Sequence, residues 1–234
     1  MSNDIDEPVT EIVRLGLREG VWVDGGADGG EGERGEGEGE FRRIWREALQ
    51  TVARQKGCTD SYYGAGEEEE GVLVWCIDWS SLAHHKAFMN SPAYPPFLKS
   101  LAPIMKSAQI MHVPRLSLNG AIGNGVVEIA VFFDIEDLFL QGTRKFIKAI
   151  REIDAERGIQ GFRGVVVFGE VWERIARREG GEEGRAVVLM LGWESLEAHL
   201  AFTKTQDFTD STKYLKEGTG GVEMFHVSFR RAGG

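Results

Sequence analysis

Basic charge, cysteine and long apolar runs are all scarce in this chain, and each scarcity removes a class of function. Lys and Arg number 27 against 37 Asp and Glu, a formal net charge of -10. The basic stripe that phosphate binding requires is missing, so no nucleic-acid partner is expected. The two cysteines, Cys58 and Cys76, form no CxxC pair and are too few for a disulfide framework, which fits a reducing compartment. No apolar run approaches the ~20 residues that span a bilayer. The opening Met1-Ser2-Asn3-Asp4 has neither the basic start nor the apolar stretch of a signal peptide. These absences point to the cytosol, with no membrane partner.

Several chemical signatures are absent too. No Gly-x-Gly-x-x-Gly opens a helix after a strand, and the Gly-rich run present is acidic and would repel phosphate. No Gly-x-Ser-x-Gly elbow occurs. The adjacent His84 and His85 cannot share a helical face, and no His/Cys/Asp spacing resembles a zinc or di-iron ligand set, so no metal is expected.

What the chain does have is a repeat of itself. Trp79-Ser80-Ser81-Leu82-Ala83-His84-His85-Lys86-Ala87-Phe88 aligns with Trp193-Glu194-Ser195-Leu196-Glu197-Ala198-His199-Leu200-Ala201-Phe202, and the same offset carries His112-Val113 onto His226-Val227. Two segments that preserve identities and the distance between them indicate a duplicated structural unit. The expected units are 1–118 and 119–234, each of small-domain size. With 42% apolar and 27% charged residues, both suit a globular fold. Much of the acidity is local: Asp24 to Glu40 holds seven carboxylates against Arg34 alone, and Glu67 to Glu70 adds four. The run 24–40 has too little apolar surface to offset its ordering entropy and is expected to be a mobile loop.

Periodicity supplies the elements. Glu11 to Leu17 reads as a strand. Phe41, Ile44, Trp45, Ala48, Leu49, Val52 and Ala53 mark one helical face, ended by Gly57. Thr59 to Gly64 and the β-branched Val72 to Asp78 are strands. Ser80 or Ser81 caps a helix through Phe88, and Pro92, Pro95 and Pro96 break the chain before a second helical piece from Phe97 to Met105. Gln109 to Arg115 closes the unit. The second half repeats the order, with strands at Val126 to Phe133, Phe162 to Trp172, Ala186 to Leu191 and Glu223 to Arg230. Its first helix is marked by Phe146, Ile147, Ile150 and Ile153. Each half is therefore an α+β, ferredoxin-like βαββαβ unit. A four-stranded sheet with helices on one face leaves the other bare, and a second copy can cover it. The expected architecture is two tandem units packed sheet to sheet as a pseudo-twofold barrel within one chain, with room for a further homodimer.

This element order, with its Trp-x-Ser-Leu…His…Ala-Phe helix start, resembles the dimeric α+β barrel superfamily, especially the antibiotic biosynthesis monooxygenase (ABM) group. His85…Ser91-Pro92…Tyr94 and Ala198-His199…Phe208 match the helix and turn pattern of that group. The resemblance implies a cofactor-independent enzyme acting on a small aromatic or polyketide-like metabolite. Its chemistry would be oxygenation, in which the deprotonated substrate itself reduces dioxygen, or a proton transfer such as isomerisation, cyclisation or decarboxylation. Some barrels of this superfamily bind haem through a histidine. The rival reading is a stress-associated or scaffold barrel that binds a ligand or partner without catalysis.

His85 and His199, three residues after Leu82 and Leu196, fall on the inner stripes of their helices and read as structural residues beside Trp79 and Trp193. On the closing strands, His112 and His226 alternate onto one face: they are general bases if that face lines a cavity, and core hydrogen-bonding groups if it lies under the helices. Trp75, Tyr62, Tyr63 and Arg14 have no like residue in the second half, since Trp75 aligns with Leu189 and Arg14 with Val131. They suggest an aromatic substrate pocket with Arg14 as the anion stabiliser; otherwise Trp75 is core and Arg14 a solvated edge residue. Glu11 and Glu128 align, which makes a paired-carboxylate site conceivable, although strand-end carboxylates are more often exposed.

Overall fold

The structure, a computed structural model, describes residues 6–21, 36–123, 125–178 and 180–232, without the side chains of 36–38. Residues 24–35 of the expected loop lie outside that range. The first half runs β1 (Val9–Leu17), α1 (Glu36–Ala53), β2 (Cys58–Ala65), β3 (Val72–Trp79), α2 (Leu82–Met89), α3 (Tyr94–Leu101) and β4 (Met105–Pro114). The second runs β5 (Val126–Phe133), α4 (Asp137–Arg157), β6 (Phe162–Glu170), the short pair β7 (Ile175–Ala176) and β8 (Glu183–Gly184), then β9 (Ala186–Trp193), α5 (Leu196–Phe202), α6 (Gln206–Thr212), β10 (Gly221–Val227) and β11 (Arg230–Arg231). A 3₁₀ turn at Lys213–Leu215 follows α6.

The two sheets repeat one topology. The first has the order β11-β2-β3-β1-β4 and the second β10-β5-β9-β6. Apart from the added β11, each places its first and third strands at the centre, the ferredoxin-like order. Thus the chain is a tandem of two ferredoxin-like α+β units. By contact it divides into 1–111 with 230–234, and 112–229. Backbone pairing is seen near both of these boundaries. The backbone N–H of Trp172 donates to the carbonyl of His112 at 2.8 Å, and β11 pairs Arg230 with Tyr63 and Arg231 with Tyr62 on β2.

Helix starts and stops follow local chemistry. The hydroxyl oxygens of Ser81 and Ser195 accept from the N–H groups of His84 and Ala198, capping α2 and α5; each such cap contributes about 1 kcal/mol. Gly158, at φ 72°, ends α4. α1 begins at Glu36, upstream of the expected Phe41: Ile44, Trp45, Ala48, Leu49 and Val52 are buried, and a helix anchored by that stripe propagates outward without a new nucleus. Pro95 and Pro96 do not break the chain before a helix but occupy the first turn of α3, where the missing N–H has no intrahelical partner to lose.

Two glycines seat α2 and α5 on their sheets. Gly57 (φ 90°) accepts from Ser80 N–H and Gly161 (φ 74°) from Glu194 N–H, both at 2.7 Å. A Cβ would collide with the His84 ring at the first and with Ala198 at the second. Strands β3, β5 and β9 are buried at every residue, so their inner and outer faces could not be told apart by alternation. The second unit's core gathers Phe132, Phe139, Phe146, Ile150, Leu189, Leu191 and Trp193 between the sheet and α4. No helix among the described residues is long and apolar enough to cross a membrane.

Candidate functional site

Strand register builds the same three-residue cluster in both units. Glu11 on β1 lies opposite Ile77 on β3, and Trp79 follows two residues later on the same face. The Trp79 indole N–H donates to Glu11 Oε2 at 2.8 Å. From α2, His85 brings Nε2 to 3.5 Å from that oxygen and stacks on Trp79, with centroids 4.9 Å apart and planes at 17°. In the second unit Trp193 donates to Glu128 Oε2 at 3.0 Å. His199 Nε2 lies 3.3 Å from the same oxygen, and its ring stacks on Trp193 at 5.1 Å.

Both carboxylates are buried, Glu11 at 4% and Glu128 at 6% exposure, which overturns the expectation that strand-end carboxylates would be exposed. Burying a charge is expensive unless it is hydrogen-bonded; the indole supplies such a bond in each unit, and the imidazole stands beside the same oxygen. Desolvation still pushes the Glu128 pKa up to about 7, against the opposing pull of the Trp193 N–H. A carboxyl that titrates near neutrality can both accept and return a proton.

These clusters open into cavities between each sheet and its own helices. The first, of about 70 Å³, is lined by Glu11, His85 and Trp79 at its polar end and by Trp75, Tyr94 and Phe97 among its walls. The second, of about 60 Å³, has Glu128, His199 and Trp193 with Phe146, Phe208 and Met224. Each now has room for about two waters, well below the roughly 300–1,000 Å³ of drug-sized ligand sites. A larger guest therefore requires an outer helix to shift. α3 is suited to that: its N-terminus has no side-chain cap, and Leu98 is 41% exposed.

The other anticipated residues fall in different places. His226 lies opposite Glu128 in register, so it is on the helix-covered face; it sits behind the second cavity, with Nε2 2.7 Å from His199 Nδ1. His112 alternates with Ile110, which lines the first cavity, and it is tied to Glu173, whose Oε2 accepts from the backbone N–H and whose Oε1 lies 2.5 Å from Nδ1. Burial of Glu173 opposes ionisation, but the hydrogen bonds from His112 outweigh it and lower the carboxyl pKa. Trp75 is a cavity wall and stacks edge-on with Trp45, which also meets Tyr63. Tyr63 is outside the lining, beneath the Arg230 guanidinium. Tyr62 is buried on the opposite face of β2. Arg14 also faces away from Trp75: it pairs with Val74 in register and forms an ion pair with Glu69 at 2.6 Å. Neither Arg14 nor Tyr62 lines the cavity.

Glu128, His199 and His226 bring one potential ligand atom each within 4.8 Å of one another. The two nitrogens of His199 point opposite ways, one to Glu128 and one to His226. That makes a row of contacts rather than donors converging on one centre.

Sequence reasoning missed the carboxylate–tryptophan bond. Its signal was available: Glu11 and Glu128 align as Trp79 and Trp193 do, and a buried indole N–H on a central strand needs an acceptor on its neighbour.

Comparison with known proteins bears on the fold. Residues 34–99 match the family model "Antibiotic biosynthesis monooxygenase", and the tandem α+β fold is shared with solved structures. An anthrone oxidase-like protein superposes with a TM-score of 0.61 at 16% identity, covering 100% of this chain and 97% of its own. A proposed monooxygenase from Lactobacillus acidophilus gives 0.56 at 9% identity, covering 97% and 94%. SnoaB, a cofactor-independent oxygenase from Streptomyces nogalater, covers 48% of this chain and 98% of its own at 14% identity and a TM-score of 0.36. No curated protein matches the sequence.

Proposed function

We propose that the first unit is a cofactor-free enzyme site of the ABM kind, which removes a proton from a small, weakly acidic aromatic or enolic metabolite and lets the resulting anion react with dioxygen. The observation that carries this reading is the buried carboxylate–imidazole pair at the polar end of an otherwise apolar, aromatic cavity. Glu11 is the base. His85 and the Trp79 N–H hold its oxygen in place, and Trp75, Tyr94 and Phe97 are the stacking walls. A dry cavity strengthens each of these interactions and protects the carbanion from water.

The electron balance needs nothing beyond substrate and dioxygen. Glu11 takes the proton from a CH₂ flanked by aromatic rings, and the electron pair left behind reduces dioxygen and forms a C–O bond. The resulting hydroperoxide loses water to leave a carbonyl. Overall, CH₂ and O₂ become C=O and H₂O. This assignment moves the base from the closing-strand histidines to the β1 carboxylate, and it gives Arg14 no role at the cavity.

The scaffold reading draws support from the small cavity volume. Dioxygen uptake with an anthrone decides between the two. Glu11→Gln is expected to lower turnover about 10²–10⁴-fold, the usual worth of a positioned base, with the fold retained by circular dichroism. Wild-type protein that consumes no dioxygen and binds no anthrone would leave only the scaffold.

A further inference from the structure

We infer that Glu128, His199 and His226 form a proton relay that gives the second unit's cavity an acid–base site of its own, for a neutral phenolic or enolic ligand. The inference extends the ligand class proposed for the first unit and rests on that reading for the class alone; its geometry is independent.

Three observations carry it. First, the groups stand in a row within one unit: Glu128 Oε2, then His199 Nε2 at 3.3 Å, then His199 Nδ1 to His226 Nε2 at 2.7 Å. All three residues are buried. Second, only one end of the row meets the cavity. Glu128 and His199 line it, and His226 is not among the lining residues. Third, among the described residues that line this cavity there is no lysine or arginine. An anion formed there has no fixed cation beside it, and an unpaired charge in an apolar site is strongly disfavoured.

The row supplies that cation without importing one. With Glu128 neutral, its O–H donates to His199 Nε2, and His199 Nδ1–H donates to His226 Nε2. Shifting both protons one step along the row ionises Glu128 and makes His226 an imidazolium. His199 stays neutral and both contacts of the row are kept, with the direction of donation reversed. The ligand O–H bond then breaks and a Glu128 O–H bond forms. The site ends with ligand anion, neutral Glu128 and His226 imidazolium, so its net charge never changes. Glu128 is the residue that touches the ligand; His226 acts through His199. A group that merely anchored α5 would require no second imidazole behind the first.

The test uses the full chain carrying Glu11→Gln, which removes the first unit's base, with 4-nitrophenol as probe and 4-nitroanisole as the analogue without a proton. Neutral and ionised nitrophenol have separate absorption bands, and ¹⁵N shifts of the imidazole rings separate neutral from cationic histidine. Below the free phenol's own pKa, binding is expected to bring up the phenolate band and the imidazolium shift of His226 together. His226→Gln should lower the bound phenolate fraction about tenfold or more, since an opposite charge nearby is worth one to three pKa units. Glu128→Asp should restore part of what Glu128→Gln loses, and nitroanisole binding should be unchanged in His226→Gln. Phenolate at wild-type level in His226→Gln, a His226 ring that stays neutral on binding, or no binding of either probe each overturns the relay. The ring shifts are read in protein with His226 intact, so the answer does not require the variant to fold. Dioxygen uptake plays no part here, so failure of the relay and failure of first-unit turnover are read on different instruments.

Discussion

The first and second units keep the same tryptophan, carboxylate and helix histidine, yet surround them differently. In the first, Trp75 and Tyr94 line the cavity beside the pair. In the second, Leu189 stands where Trp75 would be, and Phe208 and Met224 are among the walls. After duplication, residues that satisfy one another's buried polar groups can only be lost together, because removing one strands the rest. Wall residues carry no such constraint. The part that stayed identical is therefore the hydrogen-bonded unit, and the part that diverged is the part a ligand would touch.

The sharpest way to break this comparison is to remove the tryptophans. Trp79 and Trp193 are both essentially inaccessible, and each satisfies a buried carboxylate. Trp79→Ala and Trp193→Ala should each destabilise their unit by about 3–5 kcal/mol, the range for large-to-small aromatic substitutions in cores. Chemical denaturation followed by circular dichroism measures this. A loss confined to one of the two would show that the clusters are alike only in appearance.

A smaller effect, specific to the second unit, follows from Glu128. Its pKa rises from 4.5 in the unfolded chain to about 7 when folded. Between those values the folded state holds more protons, so this group's contribution to stability falls as pH rises through the window and is level above it. The full change is roughly 3 kcal/mol. Glu128→Gln cannot titrate and lacks that slope. Urea unfolding of both proteins from pH 4.5 to 8 should give curves that diverge across the window in favour of the variant; parallel curves would mean that Glu128 ionises normally in the fold.

How much of this was legible beforehand depended on which period each feature follows. The duplication, the element order and the α1 stripe at Ile44, Trp45, Ala48 and Leu49 were all readable, because a helical stripe separates buried from exposed residues at 3.6-residue spacing. Central strands give no such contrast. All eight residues of Val72–Trp79 are buried, so nothing in the string distinguishes Trp75, which faces the cavity, from Cys76, which faces away. The start of α3 was misread because Pro95 and Pro96 look like breakers until their position in the first turn is known. In the sequence His199 reads as a structural residue and His226 as a candidate base, with nothing to join them. That they bond each other depends on the approach of α5 to β10, which sequence spacing does not encode.

Arg14 gives the smallest expected effect and separates a sequence asymmetry from a functional one. The residue is unmatched in the second half, where Val131 takes its place, and that contrast alone made it attractive as an anion stabiliser. In the fold it lies on the face of β1 away from Trp75, and its ion pair with Glu69 is partly exposed, with side-chain exposures of 25% and 57%. Exposed pairs of this kind contribute ~0–1 kcal/mol and are screened by salt. Arg14→Ala should therefore shift stability by less than about 1 kcal/mol and leave anthrone turnover within about twofold of wild type, a change of under half a kcal/mol in the barrier. Steady-state dioxygen uptake at low and high ionic strength measures both the rate and its screening. A tenfold fall in turnover with the fold intact would return the guanidinium to the reaction, and would mean that the anion forms on the opposite side of the first sheet from Glu11.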